Sequence, residues 1–122
     1  MRPRIHHVQV AMPAGGEDRA RQFYGALLGF DEIEKPANLR QRGGVWFMTG
    51  NLQLHLGVDR AFQPAEKAHV AFEVDGLAAL RQRLIDAGYT VAADEPLPGH
   101  DRFYVDDPFG NRMELLEPDE SG

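Results

Sequence analysis

A chain of 122 residues, 43% apolar and 26% charged, is long enough to bury one ordinary core and too apolar to be disordered. Its formal net charge of -6 lacks the basic excess of a nucleic-acid binder, and no apolar run reaches the ~18 residues needed to cross a membrane. The absence of cysteine excludes disulfides, thiolate catalysis and thiolate-bound zinc, so any metal must rest on His, Asp, Glu or water. The opening MRPRIHHVQV has no long apolar stretch, so no signal peptide is expected and the expected compartment is the cytoplasm.

In chain order, IHHVQVAM (5–12) alternates as a strand, with His6, Val8, Val10 and Met12 on one face and Ile5, His7, Gln9 and Ala11 on the other. Pro13 and Gly15-Gly16 end it. From Glu17 to Leu28 the apolar residues Ala20, Phe23, Tyr24, Leu27 and Leu28 recur at helical spacing, with Glu17 and Asp18 in the first turn and Gly29 as the stop. Three strand-like runs follow, FDEIEK, VWFMT and LQLHLGV, punctuated by Gly43-Gly44 and Gly50-Asn51. In NLQLHLGV, Leu52, Leu54 and Leu56 share a parity that sends Gln53 and His55 to the opposite face.

The second half repeats this order. AHVAFEV (68–74) reads as a strand, and Asp75 as the N-cap of a helix over 76–87 with Leu77, Leu80, Leu84 and Ile85 inward and Gly88 as its stop. YTVAAD, RFYVDD and NRMELLE are strand candidates, and DPFGN turns the chain into the last of them. His7 and His69 stand 62 residues apart, Gly50-Asn51 and Gly110-Asn111 60 apart, and His55 and Glu114 59 apart. The spacing describes two tandem βαβββ modules, 4–58 and 66–118, joined by VDRAFQPAEK. The expected fold is α+β, a single domain whose mixed sheets curl around a shared cup with the helices outside.

Parity places His7, His55, His69 and Glu114 on strand faces opposite an apolar row, and in each module they come from the first and last strands, which can be neighbours. Imidazoles with one carboxylate suit a borderline divalent transition metal and leave coordination positions open for a bidentate substrate, dioxygen or water.

IHHVQV, FYGALLGF, KAHVAFEV and RFYVDDPFGNRMELLEP together resemble the vicinal oxygen chelate superfamily: glyoxalase I, extradiol dioxygenases, fosfomycin-resistance transferases, methylmalonyl-CoA epimerase and bleomycin-resistance proteins. The likeness spans residues 4 to 118. It implies His7, His69 and Glu114 as ligands of a divalent transition metal (Fe, Ni, Zn or Mn). It places His55 where the superfamily varies between a ligand and an acid-base group, and Tyr104, ten residues before Glu114, where a tyrosine lies over the metal. The implied activity is lyase/isomerase or ring-cleaving dioxygenase chemistry on a small molecule with vicinal oxygens, carried out by a homodimer. Ala11 stands where glyoxalase I carries a glutathione-binding arginine, and Gln9 where the fosfomycin transferases carry threonine; both count against those two activities. His100 stands nearer Phe103 than the extradiol signature requires. The competing reading is a metal-free protein that sequesters a drug, as bleomycin-resistance proteins do, for which the net charge of -6 suits a cationic ligand.

Overall fold

Alternation and helical periodicity both find their counterparts in the computed structural model, which describes residues 1–120. The backbone divides into two compact units, Met1–Pro64 and the chain from Ala65 onward. Each contains one open four-stranded mixed sheet and one principal helical segment, the α+β pattern of two βαβββ modules.

In the first unit, β1 (His7–Met12) is followed by a helical segment, then β2 (Asp31–Ile33), β3 (Val45–Thr49) and β4 (Leu52–Val58), in the sheet order β1-β4-β3-β2. Strand β1 runs parallel to β4, so the first and last strands of the module are neighbours, and β2-β3-β4 is an antiparallel meander. The helical segment begins as α1 (Glu17–Ala20) and continues with π winding over Arg21–Leu27, where the Leu28 N–H donates to the Phe23 carbonyl five residues back at 3.0 Å. This turns Phe23 and Tyr24 fully inward, and Tyr24 meets Phe47 of β3 at 5.8 Å between ring centres. Met12, Leu54 and Leu56 complete a core with no exposed surface. Each such side chain contributes roughly 1.5–3 kcal/mol by leaving water.

A short 3-10 helix, Ala37–Arg42, lies between β2 and β3. No periodic apolar signal marks it in the sequence. It delivers the chain to Gly44, whose φ is +84° and where a Cβ would stand 2.2 Å from the Leu56 carbonyl oxygen. Only glycine fits there, because both the left-handed backbone and the close approach to β4 exclude a side chain.

In the second unit, β5 (Val70–Glu73), α2 (Leu77–Asp86), β6 (Val91–Ala92), β7 (His100–Asp106) and β8 (Arg112–Pro118) repeat the plan, in the order β5-β8-β7-β6. Again the first strand is parallel to the last. Leu77, Leu80 and Leu84 of α2 are buried, as are Phe72, Phe103, Met113 and Leu115. The turn before β8 is built by Asp107, whose Oδ1 accepts the N–H groups of Phe109 and Asn111, each at 2.9 Å. Asn111 in turn accepts the Ala65 N–H at 3.0 Å, tying the start of the unit to its last strand.

Four local expectations change. Asp75 does not cap α2. The Gly76 and Leu77 N–H groups donate to Glu117 Oε2 on β8 at 3.0 and 3.3 Å, so the cap comes from across the unit. Ile85 is 38% exposed, because it sits at the edge of the stripe that Leu77, Leu80 and Leu84 define. His6 precedes β1 and is exposed rather than sharing a core face with Val8 and Val10. His69 lies one residue before β5, which is shorter than the 68–74 expected.

Candidate functional site

Register assembles the chemistry-bearing side chains of the first unit. Gln9 on β1 is the cross-strand partner of His55 on β4, and His55 is the partner of Trp46 on β3. Directly opposed residues share a face of the sheet. The His55 imidazole stacks on the Trp46 indole, ring centres 3.7 Å apart and ring planes nearly parallel at 1°. His7, diagonal to it on β1, stacks on its other flank at 4.4 Å and 14°. His55 Nε2 meets Gln53 Oε1 at 3.0 Å, and the Nδ1 atoms of His6 and His7 lie 2.9 Å apart.

Only 4% of His55 is exposed. Burial, and then the charges of His7, His6 and Lys35, push its pKa down to about 4. The ring is therefore neutral at pH 7 and can accept a proton or a metal ion.

The second unit gathers a different set. Tyr104 on β7 is the cross-strand partner of Glu114 on β8. Glu114, 5% exposed, has its Oε1 at 2.9 Å from His69 Nε2 and 3.6 Å from Arg102 Nη1. The other ring nitrogen of His69, Nδ1, faces the Lys67 carbonyl at 2.9 Å. Arg102 Nη1 also donates to the Tyr104 hydroxyl at 2.9 Å, and the Arg112 guanidinium lies 3.7 Å over the Tyr104 ring. Burial first, then a hydrogen bond to Glu114, raises the Tyr104 pKa above its ordinary value, so the phenol keeps its proton.

The chemistry of this donor set fits a metal ion. With Nδ1–H donated to the Lys67 carbonyl, a neutral His69 turns the lone pair of Nε2 toward a carboxylate oxygen. Two acceptors at 2.9 Å require a cation, either a proton on Nε2 or a metal ion bound by both groups. Among the described residues, no group of three or more His, Asp or Glu side chains is placed to hold a metal. The residues nominated from the sequence thus form two pairs within their units, His7 with His55 and His69 with Glu114, the second accompanied by Tyr104. His100 opens β7 four residues from Tyr104, with its Nδ1 3.5 Å from the Pro98 carbonyl.

Trp46 was missed as a site residue. Trp46 was accessible from sequence. The tight Gly50-Asn51 turn pairs Thr49 with Leu52, and counting back along both strands puts Trp46 opposite His55. Arg102 shares the parity of Tyr104, but sequence alone does not separate an arginine that meets a ligand from a solvated one on a strand face.

Two sheets of this topology, each carrying imidazole or carboxylate on the face opposite its apolar row, define a βαβββ-repeat protein of the glyoxalase class. The chain belongs to the Glyoxalase/Bleomycin resistance protein/Dioxygenase superfamily, whose family model matches residues 4–115. Its structure resembles that of a glyoxalase family protein from Bacillus anthracis, at 48% identity over 98% of each chain and a TM-score of 0.92. It shares its fold with an antibiotic-binding protein from a Streptomyces species (21% identity, 96% of this chain and 97% of that one, TM-score 0.75). The fosfomycin resistance protein FosX of Listeria monocytogenes also shares it (15% identity, 98% and 94%, TM-score 0.75). No curated protein matches the chain. Among the described residues, no helix is long and apolar enough to cross a membrane.

Proposed function

We propose that the chain is a divalent-metal-dependent enzyme acting on a small molecule with adjacent oxygens, by lyase/isomerase or ring-cleaving dioxygenase chemistry. His7, His69 and Glu114 are its metal ligands, and His55 and Tyr104 its catalytic side chains. The observation that carries this reading is the 2.9 Å approach of His69 Nε2 to Glu114 Oε1, with the far side of the imidazole anchored on the Lys67 carbonyl. A bound divalent ion of the iron, nickel, zinc or manganese type supplies Lewis acidity to a chelated substrate oxygen. His55, neutral and held between Trp46 and His7, accepts and returns a proton. Tyr104 donates a hydrogen bond from a hydroxyl that stays protonated, oriented by Arg102. The protein works as a homodimer.

One observation favours a second reading, a metal-free protein that sequesters a drug. Glu114 already meets His69, Arg102 and Tyr104, so its carboxylate is satisfied without an ion. Cobalt(II) separates the two. The enzyme reading expects visible d–d absorption from imidazole and carboxylate ligation, weakened in Glu114→Gln. His55→Ala then keeps the metal and loses turnover roughly 10²–10⁴-fold if it is the acid-base. A spectrum identical to aqueous cobalt for the wild-type chain supports sequestration instead.

A further inference from the structure

We infer that the first unit contains an anion-binding subsite, a cleft between the 3-10 helix and the β1-β4-β3 face, that takes the negatively charged end of a small organic ligand. The cleft encloses about 210 Å³ and is lined by Gln9, Lys35, Arg42 and Trp46 together with Leu39, Val58 and the β4 segment at Leu56 and Gly57. That is room for about seven water-sized groups, which limits the occupant to a small molecule.

The polar lining is one-sided. Two cations and a carboxamide face the cleft, and no carboxylate lines it, in a chain whose net charge is -6. The acidic groups nearby are each hydrogen-bonded or paired, Glu17 right behind the lining residue Gly43. Glu17 Oε2 accepts the Gly44 N–H at 2.8 Å, Glu34 is paired with Arg40, and Glu32 is paired with Arg21 at 2.9 Å. Lys35 is half-buried and its ammonium donates to the Gly43 carbonyl, which fixes the charge at the rim. Arg42 is exposed and meets no carboxylate among the described residues. A half-buried ammonium held in place beside an exposed guanidinium favours an oxyanion, and a guanidinium can grip a carboxylate or phosphonate with two parallel hydrogen bonds.

The place of the cleft gives it a role. Gln9, His55 and Trp46 are consecutive cross-strand partners, so the cleft opens beside the row that carries His55. The Gln9 side chain crosses Gly57 so closely that a Cβ there would stand 2.8 Å from its carboxamide; the glycine leaves space for the amide. A ligand with its oxyanion between Lys35 and Arg42 and its body along Trp46 extends toward His55. That this ligand is the substrate rests on the enzyme reading above, and it makes the substrate class an organic carboxylate, phosphate or phosphonate.

Trp46 is the single tryptophan of the chain, so its fluorescence reports the cleft directly. The test titrates the full chain with phenylphosphonate, with and without added zinc, and repeats the titration with benzyl alcohol as an uncharged probe. The inference expects saturation by about 10 mM phenylphosphonate and at least tenfold weaker response to benzyl alcohol. Arg42→Gln and Lys35→Gln each weaken phosphonate binding about tenfold, the loss of one charge-assisted hydrogen bond. Arg60→Gln, which removes the same charge outside the lining, leaves binding unchanged. Arg42→Gln removes an exposed side chain, and a thermal melt verifies its fold. Wild-type chain that does not saturate, or an Arg42→Gln variant that binds as well as wild type, overturns the subsite. Zinc uptake measured in the same samples separates the two proposals. Metal uptake without phosphonate binding defeats the subsite alone, and phosphonate binding with no uptake of zinc, manganese, nickel or iron(II), each tried in turn, upholds the subsite while defeating the metal-enzyme reading.

Discussion

Acidification from pH 7 to pH 5 should cost the metal-free protein about 2 kcal/mol of stability through His55 alone. The imidazole is 4% exposed and stacked against Trp46 at 3.7 Å, so protonating it puts a charge where water cannot follow. Its folded pKa of about 4 lies below the ordinary value of 6.5. The unfolded chain therefore takes up the proton first as pH falls, and stability drops. This contribution is whole above the unfolded pKa and is lost progressively down to the folded one. The 2.5-unit gap is worth about 3 kcal/mol in total, of which about 2 kcal/mol falls between pH 7 and pH 5. Urea unfolding with a chelator present measures it, with His55→Gln as the reference that cannot titrate. The wild type should lose about 2 kcal/mol more than the variant over this interval, at constant urea dependence. Equal losses would mean that His55 titrates as freely in the folded protein as in the unfolded chain, and that its burial carries no such penalty.

Gly44→Ala should destabilise the fold by roughly 3 kcal/mol or more, since it forces a left-handed alanine and drives its Cβ against the Leu56 carbonyl; a melt within a few degrees of wild type would contradict this. Glu117→Ala should cost about 1 kcal/mol by leaving the first N–H groups of α2 without their acceptor, read by urea unfolding, whereas Asp75→Ala should cost only a few tenths. Sedimentation at micromolar concentration should give a homodimer, and a monomer alone would count against the assembly proposed here.

The strands and their order were legible because alternation and turn chemistry act locally. NLQLHLGV needed nothing beyond itself to separate Leu54 from His55, and Leu54 is fully buried on the core face. Yet His55 is also buried, under Trp46, and that burial comes from a neighbouring strand rather than from the parity of its own. The same distinction explains the misread cap. Asp75 has the right side chain but stands one residue before the N-cap, Gly76, and Glu117, on β8, reaches the helix start instead. The 3-10 helix at Ala37–Arg42 carries no buried residue, so no apolar period marks it. It nonetheless supplies Leu39 and Arg42 to the charged cleft, which is why that cleft is invisible from motifs alone. The His69–Glu114 pair was legible as parity and spacing, while the Lys67 carbonyl that orients the imidazole is a backbone contact no residue type announces.

Equilibrium metal titration of the purified chain tests whether His7, His69 and Glu114 hold a divalent transition metal. Calorimetry with zinc and manganese, followed by elemental analysis after gel filtration, should give one ion per site with micromolar or tighter affinity. Glu114→Gln should weaken that affinity by about one to two orders of magnitude, roughly 1.4 kcal/mol for each, while leaving the melting of the metal-free chain within a few degrees of wild type. No retained ion at micromolar concentration, or an affinity indifferent to Glu114→Gln, would rule this metal site out.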